Sequence, residues 1–184
     1  MTDSRAEPDS AGDRQTENVL GALSLAISDR VQHGVTGAAD QAPTGAAALS
    51  ALDQFLRDPT IDLLRQVLGL TSSGTVRLVD RLEKDGLVRR EPGTDRRSTV
   101  VALTPAGSRA AHQVTAARRL VLHDALAALS PQERRVFGEL AGRVVASLAR
   151  PAGATGWTCR LCDLDACGRP DGRCPVAGPD PPTF

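Results

Sequence analysis

Residues 68–107 read LGLTSSGTVRLVDRLEKDGLVRREPGTDRRSTVVALTPAG, and the apolar period changes inside this stretch. Thr75, Leu78, Val79 and Leu82 recur at three- and four-residue spacing, which predicts the buried stripe of a helix. Thr71 is its predicted N-cap, and Gly86 ends it in the C′ position that favours glycine. After Gly86 the period shortens. Residues 87–91 and 99–103 read as short strands joined by the turn-rich Pro92-Gly93-Thr94-Asp95. Thr104-Pro105 is then an N-cap with proline at the first helical position, opening a long helix that runs to about residue 129.

Working outward, Pro59-Thr60 starts another helix, with Thr60 as cap, Ile61, Leu64 and Leu68 facing inward and Gly69 closing it. Residues 46–55 predict an Ala/Leu-rich helix, and Leu20, Leu23, Ile27 and Val31 share one face of an earlier one. Downstream, Ser130-Pro131-Gln132-Glu133 is a capping box with proline at N1. Phe137, Leu140, Ala141, Val144 and Leu148 carry the apolar face of the helix it opens. Residues 1–16 are polar and aperiodic, and the expectation there is disorder. The chain thus divides into that N-terminus, one domain over 17–152 and a tail over 153–184, set off by Pro151, Gly153 and Gly156.

The fold class is mainly α with a small β-hairpin wing: a winged helix-turn-helix. Composition agrees. Only 2% of the 184 residues are aromatic, so the core must be Leu, Val and Ala, which favours helices. Formal net charge is zero, yet residues 60–110 hold nine Lys and Arg against six Asp and Glu, a weak pointer to a polyanion. No apolar run approaches the roughly 20 residues of a membrane span, and MTDSRAEPDSAGDRQ has no signal-peptide core. A cytoplasmic protein is expected, in which thiols stay reduced.

The outward positions of the second helix are Ser72, Ser73, Gly74, Val76, Arg77 and Arg81. Small residues at its start allow close approach to a major-groove floor. Arg77 and Arg81 supply charge for phosphates or a bidentate contact to guanine, and the first amides suit a phosphate.

Here the chain resembles the multiple antibiotic resistance regulator (MarR) family. Residues 68–107 are similar to its recognition helix, wing and exit into the next helix. The wing motif stands as Asp95, Arg97, Val101, Leu103 and Thr104. The resemblance implies a transcription regulator, with repression the default expectation. It implies a homodimer built from the terminal helices, on near-palindromic double-stranded DNA read by residues 60–104, with a small-molecule effector open. It also implies that Arg97 enters the minor groove, held by Asp95, and that Arg96 meets the backbone. Two residues depart from the family pattern. Arg65 stands where a small Ala is usual and has to snorkel outward. Gly74 costs its helix about 1 kcal/mol against Ala.

All four cysteines lie in the tail: Cys159, Cys162, Cys167 and Cys174, spaced C-x2-C-x4-C-x6-C. Four thiolates in a short Gly/Pro-containing loop suit tetrahedral Zn²⁺, close to a zinc knuckle with Cys in place of His. All-thiolate ligation and Cys174-Pro175 also suit an iron–sulfur cluster, and the loop resembles that of superoxide-response regulators in the mercury-resistance regulator superfamily. Arg160, Arg169 and Arg173 would offset the negative charge of either. The bland alternative is four unligated thiols. A site here could sense redox or metal status. His112 and His123, eleven apart on one helix, and His33 read as surface or packed histidines.

Two other functions compete with DNA binding: a protein-interaction module using the cysteine knuckle, and a redox enzyme. The enzyme reading has little support, since the sequence has no Gly-rich phosphate loop, no Ser/His/Asp set and no paired acid/base carboxylates. The expectation is no catalytic residue.

Overall fold

The structure is a computed structural model that describes residues 11–93, 98–148, 155–169 and 171–176. Its elements run α1 (Ala11–Ala39), α2 (Pro43–Gln54), α3 (Ile61–Leu68), α4 (Ser72–Lys84), β1 (Val88–Pro92), β2 (Thr99–Leu103), α5 (Pro105–Leu126), α6 (Pro131–Leu148), α7 (Thr155–Cys159) and α8 (Leu164–Cys167).

The predicted caps are made. Thr60 Oγ1 accepts from Leu63 N–H, Thr71 Oγ1 from Gly74 N–H and Thr104 Oγ1 from Gly107 N–H. At α6 the capping box closes in both directions, Glu133 Oε2 accepting from Ser130 N–H and Ser130 Oγ from Glu133 N–H. Gly69 and Gly86 hold left-handed φ values of 63° and 70° at the ends of α3 and α4.

The strands pair antiparallel from Val88↔Leu103 to Pro92↔Thr99. Val101 N–H donates to Pro59 O, which ties the hairpin to the start of α3. The wing is also anchored to α5. Thr104 Oγ1 donates to Gly86 O at 2.6 Å, and a Cβ on Gly107 would stand 1.9 Å from Leu87 O, so only glycine admits this approach.

Two apolar clusters meet on α2, which is buried almost all round and is accordingly Ala-rich. One joins α2, α3, α4, the hairpin and the start of α5 through Leu49, Leu64, Val67, Leu78, Val79, Leu82, Val88 and Val101. The other joins α1 and α5 to α2 through Val31, Val35, Ala46 and Val114. Short side chains let these helices lie close: a Cβ on Gly34 would come within 3.2 Å of Val121.

Three details differ from the sequence reading. Helix α1 begins at Ala11, inside the stretch expected to be disordered; Ala11–Val19 contains no proline, and Asp13 complements the helix dipole in its first turn. Residues 11–26 of this helix are exposed. Helix α5 ends at Leu126 rather than near 129, in a short run of turns before the α6 cap. The tail, read as a short Gly/Pro-containing loop, holds the short helices α7 and α8. Among the described residues no helix is long and apolar enough to cross a membrane.

Candidate nucleic-acid interface and the cysteine tail

Helix α4 has two faces. Thr75, Leu78, Val79 and Leu82 are buried, while Ser72, Ser73, Val76, Arg77 and Arg81 are exposed and Gly74 is half-buried beside its cap. The outward residues singled out from sequence therefore lie together along one side of the helix. Arg77 folds back on its own turn, its Nε donating to Ser73 O at 3.2 Å. Asp95, Arg96 and Arg97 lie outside the described residues.

The sequence reading passed over Arg90. From β1 it reaches α4, donating to Asp80 Oδ1 at 2.6 Å and to Glu83 Oε2, while its backbone N–H donates to Glu83 Oε1. These bonds fix the angle between hairpin and α4. The one sequence signal was the pair of carboxylates, Asp80 and Glu83, three residues apart on the flank of α4. Arg65 does snorkel: its Nε meets Asp62 Oδ1 at 2.8 Å, and bonds from Arg65 and Gln66 hold the Asp62 carboxyl below its usual range.

Apolar side chains remain uncovered at both ends of the domain. Val19, Leu20, Leu23 and Leu25 of α1 are exposed, as are Val136, Phe137, Leu140, Val144, Val145 and Leu148 of α6. No residue of α6 is buried.

The tail folds back onto the domain. Leu164 N–H donates to Gln54 Oε1 at 2.9 Å, and Leu161 packs against both clusters. Trp157 covers the turn between α3 and α4, where a Cβ on Gly69 would stand 3.0 Å from ring atoms Cε3 and Cζ3. The Arg160 guanidinium lies 3.7 Å from the centre of the same ring. Pro175 reaches α6 near Gly142.

The four cysteines are free thiols. Local turns draw them together. Cys162 N–H bonds Cys159 O, Cys167 N–H bonds Asp163 O, and Arg173 N–H bonds Gly168 O across a loop with left-handed glycines at 168 and 172. The Cys159 thiol is hydrogen-bonded to Cys162, which lowers Cys162 to about 6 against the opposing effect of burial; Arg118 and Arg160 add positive charge. The same bond, then burial, raises Cys159, so it keeps the proton. Cys167 is raised chiefly by burial, lies against Cys174 and accepts from the Arg169 backbone N–H. Cys174 in turn stands near Cys159. Among the described residues no three metal-ligating side chains surround one point, so the thiols are neighbours rather than a closed cage. His112 lies 3.4 Å from Asp53 on α2.

This arrangement defines a class: a winged helix-turn-helix with one face of α4 exposed and exposed apolar side chains on the helices at its ends. Residues 43–98 match the model of the MarR family. The chain shares this fold with a MarR-family protein from Bacillus stearothermophilus, at 25% identity and TM-score 0.62, over 73% of this chain and 94% of that one. A probable transcriptional regulator from Pseudomonas aeruginosa is 29% identical, with TM-score 0.53, over 68% and 96% of the two chains. A variant of the S. aureus regulator MepR, solved bound to an oligodeoxyribonucleotide, is 18% identical with TM-score 0.55 over 72% and 97%. No curated protein matches the sequence.

Proposed function

We propose that this protein is a transcription regulator that binds double-stranded DNA as a homodimer and represses from a near-palindromic operator. The exposed face of α4 carries the reading: small Ser72, Ser73 and Gly74 at the helix start, then Arg77 and Arg81 one turn apart. Buried Thr75, Leu78 and Val79 hold that face rigidly outward. Free amides at the α4 N-terminus suit a phosphate, and the arginines suit phosphates or guanine edges. The MepR variant with bound oligodeoxyribonucleotide supports the same use of the fold.

The dimer reading is supported by the uncovered apolar residues of α1 and α6, which are too many for a monomer surface. A two-fold dimer would present two α4 helices to half-sites about 10 base pairs apart. By the family resemblance Arg97, held by Asp95, enters the minor groove and Arg96 meets the backbone. Fluorescence polarisation on the DNA upstream of the protein's own coding sequence tests the proposal. Saturable binding that outcompetes scrambled duplex is the expected result; equal affinity for both would overturn it.

A further inference from the structure

We propose that Cys159, Cys162, Cys167 and Cys174 bind one Zn²⁺ ion, and that this site governs the DNA-reading helix through Trp157. The regulatory half rests on the function proposed above; the metal site does not. Sulfurs about 2.3 Å from a tetrahedral zinc stand about 3.8 Å from one another, the separation of thiols in contact. Cys159 touches Cys162, and Cys167 touches Cys174. The two pairs are neighbours through Cys159 and Cys174, and binding one ion requires them to converge on a single point. The Arg169 amide already donates to Cys167, as the outer shell of a thiolate site requires. On binding, the remaining thiol protons pass to solvent and four thiolates around Zn²⁺ leave a net charge of −2. Arg169, 7% exposed beside Cys159, and Arg160 beside Cys162 offset it. A buried guanidinium is stabilised by such an anion.

The route to α4 is short. Cys159 ends α7, and Trp157 lies two residues earlier in the same helix. Its ring rests on Gly69, the left-handed residue that sets the turn from α3 into α4. Closing the cage fixes α7, α7 fixes the indole, and the indole pins the turn. Metal loading therefore tightens operator binding by holding α4 in its reading orientation.

Trp157 is the chain's one tryptophan, so its emission reports the docking directly. Apoprotein, prepared with a chelator under reducing conditions, is titrated with Zn²⁺. Three quantities are read: bound zinc per chain, Trp157 emission, and operator affinity. The expected result is one zinc per chain, a change in emission that saturates at the same point, and an operator Kd lowered about 5- to 150-fold. Cys159→Ser/Cys162→Ser should abolish all three responses. Trp157→Phe, whose smaller ring leaves part of Gly69 uncovered, should keep the zinc and lose most of the affinity change. Failure to bind zinc near one equivalent, or a brown as-isolated protein whose absorption marks an iron–sulfur cluster, overturns the zinc site. Full zinc with unchanged emission and affinity overturns the coupling. Absence of DNA binding in every form overturns the regulator reading instead, with stoichiometry and emission still deciding the metal site.

Discussion

Gly107 is dictated by its surroundings. A Cβ there would lie 1.9 Å from the carbonyl oxygen of Leu87, a backbone atom tied by hydrogen bonds to Thr104 and unable to retreat. Gly107→Ala should therefore lower stability by at least about 3 kcal/mol, at or beyond the top of the overpacking range. Urea denaturation would read this as a fall in midpoint, and an unchanged midpoint would mean that the α5–wing contact is looser than drawn. Arg77 and Arg97 should differ in kind. Arg77→Ala should cost about 1–3 kcal/mol of operator binding and relax preference at one base pair. Arg97→Ala should weaken binding to most sequences, and most where the minor groove is narrow. Selections on randomised duplexes separate the two patterns, and a folded variant with unaltered affinity would remove that residue from the interface.

The wing and α4 form one unit because Arg90 crosses between them to Asp80 and Glu83. Its side chain is only 26% exposed, so Arg90→Ala also removes packing. The expected outcome is a small stability loss, about 1 kcal/mol, with a larger loss of operator affinity as the hairpin drifts from α4. Hydrogen exchange should report faster opening of β1 and β2 than of α2. Helix α6 stands differently: its capping box is complete, yet its large apolar side chains are exposed among the described residues. Leu140→Asp with Val144→Asp should convert the dimer to monomer with α2–α5 intact. Sedimentation velocity beside circular dichroism checks this, and a dimer surviving both charges would move the interface elsewhere.

Across the whole molecule, the charge balance of zero means that affinity for DNA has to come from placement rather than excess charge. Each arginine that neutralises a phosphate releases counterions, so log K should fall linearly with log salt. A two-fold dimer doubles the contacts of one protomer, and the slope should halve in the Leu140→Asp/Val144→Asp monomer. Polarisation titrations between about 50 and 200 mM salt measure it. A flat line would count against phosphate contact altogether.

Several elements with a local signal could be read from the chain: the Thr71 cap, the glycine at 86, the change of period into the hairpin, and the capping box at Ser130. These depend on residues three or four apart. The outward face of α4 was legible for the same reason, since an apolar stripe on one side leaves the other side to solvent. The spacing of the cysteines was legible too, but not where they sit. The placement of Trp157 on Gly69, the hydrogen bond from Leu164 to Gln54 across 110 residues, and the reach of Arg90 to α4 came only with the tertiary structure. Such contacts join residues with no shared period, and short turns in a Gly- and Pro-rich tail leave open which surface it meets. Whether an exposed apolar face is a folding defect or an interface also waits on knowing what else covers it: Leu20 and Leu23 continue the stripe of Ile27 and Val31, yet the protomer buries only its lower part. Local chemistry selected the elements; long-range packing decided which of their faces were left exposed.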